Sequence, residues 1–137
     1  MGAYISVTSR VDLSVIYLFL AVLFWVSGFD IIYSLPDEEF DNKAGLNSVP
    51  QKFGKKRALI ISAIGHVLVF PFLVLFGLSI NAGILYIIGA AIFSLLLIYQ
   101  HLIVKPDDLS RVNAAFFTSN GVASVLFATF TIADMLF

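Results

Sequence analysis

Residues 30 to 41 read Asp-Ile-Ile-Tyr-Ser-Leu-Pro-Asp-Glu-Glu-Phe-Asp and close a run that is otherwise apolar enough for a membrane. Asp30, Asp37 and Asp41 stand at steps of seven and four, with Tyr33 three after the first. On one continuous helix, such steps keep all four side chains on one face. A charge at the centre of a span costs about 2.5–3.5 kcal/mol on insertion scales, so acids there persist mainly when paired or metal-bound. Asp37 and Asp41 can converge on one cation. Carboxylate-only clusters suit hard ions such as Mg2+, which takes a few carboxylates together with phosphate oxygens. The chain has no cysteine, and no histidine lies in this stretch, so the ligands of a zinc site are missing from it. Lys43 comes closely after Asp41. Acid, metal and lysine together suit a diphosphate, whose leaving oxygens need their charge neutralised. Pro36 removes a backbone donor and can kink the helix, turning the single face into two short faces aimed at one point. Glu38 and Glu39 point off the aspartate face and are expected to be solvated.

The elements that carry these residues are membrane spans. The chain has 137 residues, of which 60% are hydrophobic and 12% charged. Soluble domains are nearer half apolar and a quarter charged, so the composition is that of an integral membrane protein. The fold class is all-α, a polytopic transmembrane helix bundle forming a single domain over 1–137. About four spans are expected, near 13–35, 58–78, 82–104 and 109–137, each long enough for a bilayer. Ser79 to Asn81 is a tight turn, and Lys-Pro-Asp-Asp at 105–108 is a helix stop followed by a start. Residues 42–57 are expected to form a loop punctuated by Gly45, Pro50 and Gly54. The leading segment Gly2 to Asp12 reads as an interhelical loop, and it lacks the features of a signal peptide.

Seven of the eight basic residues fall on one side: Lys43, Lys52, Lys55, Lys56, Arg57, Lys105 and Arg111, against Arg10 alone. The excess places loops 42–57 and 105–108 in the cytoplasm, with the acidic stretch at the cytoplasmic end of the first span. Lys55-Lys56-Arg57 is expected to anchor topology and contact lipid headgroups. Nothing in the chain points to nucleic acid.

The acidic stretch and the residues just after it resemble the second aspartate-rich motif of the UbiA superfamily of intramembrane prenyltransferases. The matching elements are Asp30, Tyr33, Asp37, Asp41, Lys43-Ala-Gly45 and Ser48-Val-Pro-Gln-Lys-Phe53-Gly54. Asn113, at the start of the last span, fits more weakly. The resemblance implies part of a nine-span fold in a bacterial inner membrane. It implies Mg2+-dependent transfer of a polyprenyl group from polyprenyl diphosphate to an aromatic acceptor such as 4-hydroxybenzoate, in ubiquinone or menaquinone biosynthesis. On that pattern Asp37 and Asp41 are metal ligands, Asp30 is a further ligand or base, Tyr33 lines the cavity, Lys43 contacts the diphosphate, and Asn113 is a possible cavity residue. The family's first motif, Asn-Asp-x-x-Asp-x-x-x-Asp, has no counterpart in the sequence. The expectation is therefore a C-terminal half, inactive as an isolated chain. The rival reading is a small multi-span subunit or transporter piece with an acidic cation site.

Outside this stretch, His66 lies mid-span and is expected to be a hydrogen-bonded packing histidine. Gln100 and His101 are expected to be solvated or to face headgroups. Trp25 reads as packing, and Asn113 and Asn120, seven apart, as sharing one helix face.

Overall fold

The structure is a computed structural model describing residues 1–137. It is helical apart from its turns and a single isolated β-bridge between Lys105 and Asp108. The helices are α1 (Gly2–Thr8), α2 (Leu13–Tyr33), α3 (Glu38–Ala44), α4 (Val49–Phe53), α5 (Lys55–Ser79), α6 (Ile84–Ile103) and α7 (Asn120–Leu136). A π-helical stretch, Ala114–Ser119, leads directly into α7. Four helical segments are long and apolar enough to cross a membrane: Leu13–Tyr33, Lys55–Ser79, Ile84–Ile103 and Ala114–Leu136. Leu23, Ile64, Val67, Leu95 and Val125 are among the many large apolar side chains that stay exposed, as expected of surfaces meant for lipid or further protein.

The spans pair chiefly as α2 with α5 and α6 with α7, while α5 and α6 touch far less despite being joined by a short turn. Because lipid tails are as apolar as the side chains, burial alone does not hold such helices together; close packing and interhelical hydrogen bonds must. Close packing supplies one cluster at mid-span, of Ala21, Val69, Leu73, Phe93, Leu97 and Ala123. A second, of Ile32, Leu35, Ala58, Val104, Val112 and Ala115, locks together the span ends that carry the basic residues. At the opposite end, Asp134 of α7 accepts from the backbone N–H groups of Gly83, at 2.7 Å, and Tyr86, at 3.2 Å. The start of α6 offers no capping side chain of its own, and α7 supplies the acceptor instead.

Two expectations about connections need correction. Gly2 to Asp12 is not simply a loop: residues Gly2–Thr8 form α1, and the Tyr4 hydroxyl donates to the Asp12 carboxylate, tying that helix to the start of α2. Nor is 42–57 a plain loop, since it holds the end of α3, all of α4 and the first turn of α5. Lys55-Lys56-Arg57 therefore begins the second span rather than preceding it.

Candidate functional site

α2 stops at Tyr33 for a local reason. Pro36 cannot donate to the helical ladder, and its ring would strike the carbonyl a turn earlier. The chain turns through a 3-10 segment, Leu35–Asp37, before restarting as α3. Ser34 eases the exit, its hydroxyl donating to the Ile31 carbonyl at 3.0 Å. Ile32 and Leu35, 1% and 0% exposed, bury the turn in the second cluster, so the break is anchored rather than loose.

This break overturns the expectation that Asp30, Tyr33, Asp37 and Asp41 share one face of a continuous helix. Asp30 lies on the last turns of α2 and is exposed. Asp37 is the N-cap residue of α3 and is also exposed. Asp41, one helical turn later, is only 8% exposed. No three acidic or histidine side chains come close enough to hold a metal ion together. A centre built on all three aspartates of this stretch is therefore not formed. Asp41 nevertheless fits a cation. The only ion pair in the chain joins Lys55 to Glu38 at 3.6 Å, which leaves Asp41 without an ion-pair partner. Mg2+ characteristically takes one or two carboxylates and completes its shell with water and phosphate oxygens. The carboxylates of α3 offer that donor chemistry.

Glu38, expected to be merely solvated, instead ties α3 to the start of α5 through its pair with Lys55. Lys43 is exposed in the last turn of α3, where a cation also complements the helix dipole. Three residues between Gly45 and Gly54 shape the backbone. Gly45 closes α3 with φ 65°. Ser48 caps α4 by accepting from the Gln51 N–H at 3.3 Å. Gly54 has φ 78° and ψ 157°, a region essentially reserved for glycine, and this lets α5 start directly where α4 ends.

Tyr33 is 44% exposed and stacks on Phe116, ring centroids 4.2 Å apart. Phe116 in turn meets Phe29 edge-on at 5.3 Å, and Phe29 meets Trp25 at 5.5 Å. Aromatic contacts thus run along α2 from mid-span to the acidic break. Phe116 reaches them from the π-helical stretch.

That stretch also corrects the expectation for the two asparagines. A seven-residue step returns to the same face only on a regular α-helix. The wider turns of Ala114–Ser119 lie between them, and the structure leaves Asn113 exposed while burying Asn120, 7% exposed. The Asn120 side-chain oxygen accepts from the Trp25 indole N–H at 3.0 Å and from the Gln100 amide at 2.6 Å. Gln100 is thus fully buried, and His101 also turns inward, with its Nε2 lying 2.9 Å from Nδ1 of His66. His66 donates from Nε2 to the Trp25 carbonyl at 3.2 Å, which leaves Nδ1 to accept from His101. His66 is the hydrogen-bonded packing histidine expected, at 3% exposure. The expected solvated positions of Gln100 and His101 are wrong. A signal for Gln100 was available: Phe93, Leu97, Gln100 and Val104 are spaced by four, three and four, and all are buried.

With this geometry in place, comparison with known proteins becomes decisive. The sequence pattern of the UbiA prenyltransferase family matches residues 1–121. The chain belongs to the UbiA prenyltransferase family. Among curated relatives, it is 31% identical over 135 residues to a 4-hydroxybenzoate octaprenyltransferase of Shewanella oneidensis, covering 98% of this chain and 46% of the relative. A protein of the same name from Xanthomonas euvesicatoria is 30% identical over 131 residues, covering 96% of this chain and 43% of the relative. One from Nitrosospira multiformis is 29% identical over 126 residues, covering 92% and 43%. The chain spans about half the length of these curated relatives and matches their C-terminal part. No solved structure matches the chain. As a UbiA-family chain with four span-length apolar helices, it is an integral membrane protein.

Proposed function

We propose that this chain supplies one acidic wall of a prenyl-transfer site that handles a polyprenyl diphosphate. The observation that carries the reading is Asp41: a largely buried aspartate on α3, without an ion-pair partner, one turn from Asp37 and on the same short helix as the exposed Lys43. A carboxylate without an ion-pair partner on a largely buried residue gains from a cation. Asp37 and Asp41 would hold Mg2+, which when bound neutralises charge on the departing diphosphate. Lys43 would bind the diphosphate from the same short helix. Tyr33, held by Phe116, would present an aromatic face to the cavity beside Asp30, an arrangement suited to stabilising a developing allylic cation. Asp30 would serve as a further ligand or as the base. Asn113, exposed on the last span, is left as a possible cavity residue.

The acceptor in this reading is an aromatic ring such as 4-hydroxybenzoate, consistent with the names of the relatives and with quinone biosynthesis. The bacterial inner membrane is the natural location given bacterial relatives, with the basic loops on the cytoplasmic side. The chain's own acids gather no three-ligand centre, so a complementary acidic wall is required and the isolated chain is expected to be inactive. The rival reading of a transporter piece has no need of the Lys43-Ala-Gly45 and Phe53-Gly54 elements that follow the acids.

The test is to co-express this chain with the N-terminal portion of the Shewanella relative and assay Mg2+-dependent prenyl transfer to 4-hydroxybenzoate. Asp37→Asn and Asp41→Asn should each lower the rate by about 100-fold or more, the usual scale for removing preorganised charge stabilisation. Undiminished transfer in both variants would sink the assignment, as would full activity of this chain alone.

A further inference from the structure

A second charged site lies away from the aspartates, where α6 ends and the last span begins. A cavity of about 360 Å3 opens there, lined by Lys105 and Arg111 together with Tyr99, Leu102 and Ala114. Neither cation belongs to an ion pair. The lining carboxylate, Asp108, is already engaged: its Oδ1 accepts from the Ser110 hydroxyl at 2.7 Å and from the Ser110 N–H at 3.1 Å. Those two donors, first the hydroxyl and then the N–H, hold the Asp108 carboxyl below its usual range, with Arg111 and Lys105 adding to the effect. The turn is also fixed. Lys105 and Asp108 exchange both backbone hydrogen bonds, at 3.2 and 3.1 Å, so the two cations project from a defined frame.

We propose that this cavity binds the phosphate of an anionic bilayer phospholipid. Three features select a lipid over a soluble anion. The site sits at the ends of two spans, at headgroup level. Leu102 and Tyr99 of its lining, 68% and 49% exposed, continue as apolar surface on the outside of α6 for an acyl chain to cover. The neighbouring Val112 and Ala115 are buried in the second cluster, so the same helix turns its core face inward while Arg111 and Ala114 line the cavity. Basic pockets between spans at this level are suited to lipid phosphates, and each basic residue contributes about 1 kcal/mol, or roughly fivefold in affinity. The inference stands apart from the prenyl-transfer reading, which uses none of these residues.

The purified chain, titrated in detergent with phosphatidylglycerol or phosphatidylcholine and examined by native mass spectrometry, decides the matter. Phosphatidylglycerol should be retained by one saturable site about 30-fold more tightly than phosphatidylcholine, and K105Q/R111Q should lose that margin. K105R/R111K should keep it, and so should R10Q/K52Q, which removes equal charge from exposed residues elsewhere. Equal retention of the two lipids by the wild-type chain would overturn the proposal, whether or not the glutamine variant folds. Equal loss in R10Q/K52Q would overturn it too, because retention would then follow net charge alone. Displacement of the lipid by stoichiometric inorganic diphosphate would reassign the site to a soluble phosphate and overturn the lipid assignment.

Discussion

The side-chain oxygen of Asn120 accepts from both Trp25 and Gln100, so one amide on α7 joins α2 and α6 inside the membrane-spanning bundle. Asn120→Leu removes both bonds but also removes a buried amide nitrogen that has no partner of its own. Interhelical bonds in membranes average about 0.6 kcal/mol, with a ceiling near 1.7, so the expected loss is about 1 kcal/mol. Trp25 is the only tryptophan, which makes its fluorescence a site-specific reporter. Detergent unfolding followed by that fluorescence should show a lower midpoint and a changed native emission. An unaltered emission spectrum would mean that the indole bond is not made.

Gly28 and His66 occupy one space. A Cβ at Gly28 would lie 2.3 Å from the His66 ring, so Gly28→Ala must displace the imidazole. Overpacking of this kind costs about 1–3 kcal/mol, and here the bonds to Trp25 and His101 are lost as well. The Gly28→Ala/His66→Ala double variant should recover part of that loss. A double-mutant cycle on unfolding free energies should give a coupling of about 1 kcal/mol or more, and strict additivity would refute the shared space.

Asp134 caps α6 from another helix. Asp134→Ala should destabilise the chain by about 1 kcal/mol, the usual worth of a lost N-cap acceptor. The amides of Gly83 and Tyr86 should lose protection against hydrogen exchange before others in α6. Unchanged exchange at both amides would show that the cap is not made in the membrane-embedded protein.

The Asp108 turn carries a pH dependence of definite sign. Its carboxyl is held low in the folded chain by Ser110, so its contribution is fully present above the unfolded carboxylate pKa. That contribution is lost as pH falls through the depressed folded value. The Ser110 amide resonance should report the transition, and Ser110→Ala should move the midpoint up toward the ordinary aspartate range. A midpoint indifferent to this substitution would mean that Ser110 does not hold the carboxylate.

Much of this protein can be read from the sequence by itself. Long apolar runs have only one economical form in a bilayer, the helix, which satisfies its own backbone, so four spans could be read directly. The spacing of Asp30, Tyr33, Asp37 and Asp41, continued through Lys43, Gly45, Phe53 and Gly54, marked the family, because sequence patterns preserve residue types at fixed positions. Tertiary structure decided how those residues face. Pro36 was visible, but not that the chain would bury Leu35, restart as α3 and leave Asp41 secluded while Asp30 and Asp37 stay exposed. The π-helical stretch has no simple residue signature, yet it separates Asn113 from Asn120. Gln100 and His101 looked like interface residues by their place in the chain, but partners on α5 and α7 turned them inward. A polar side chain's surroundings depend on which helix packs against it, and that is a property of the bundle rather than of any one segment.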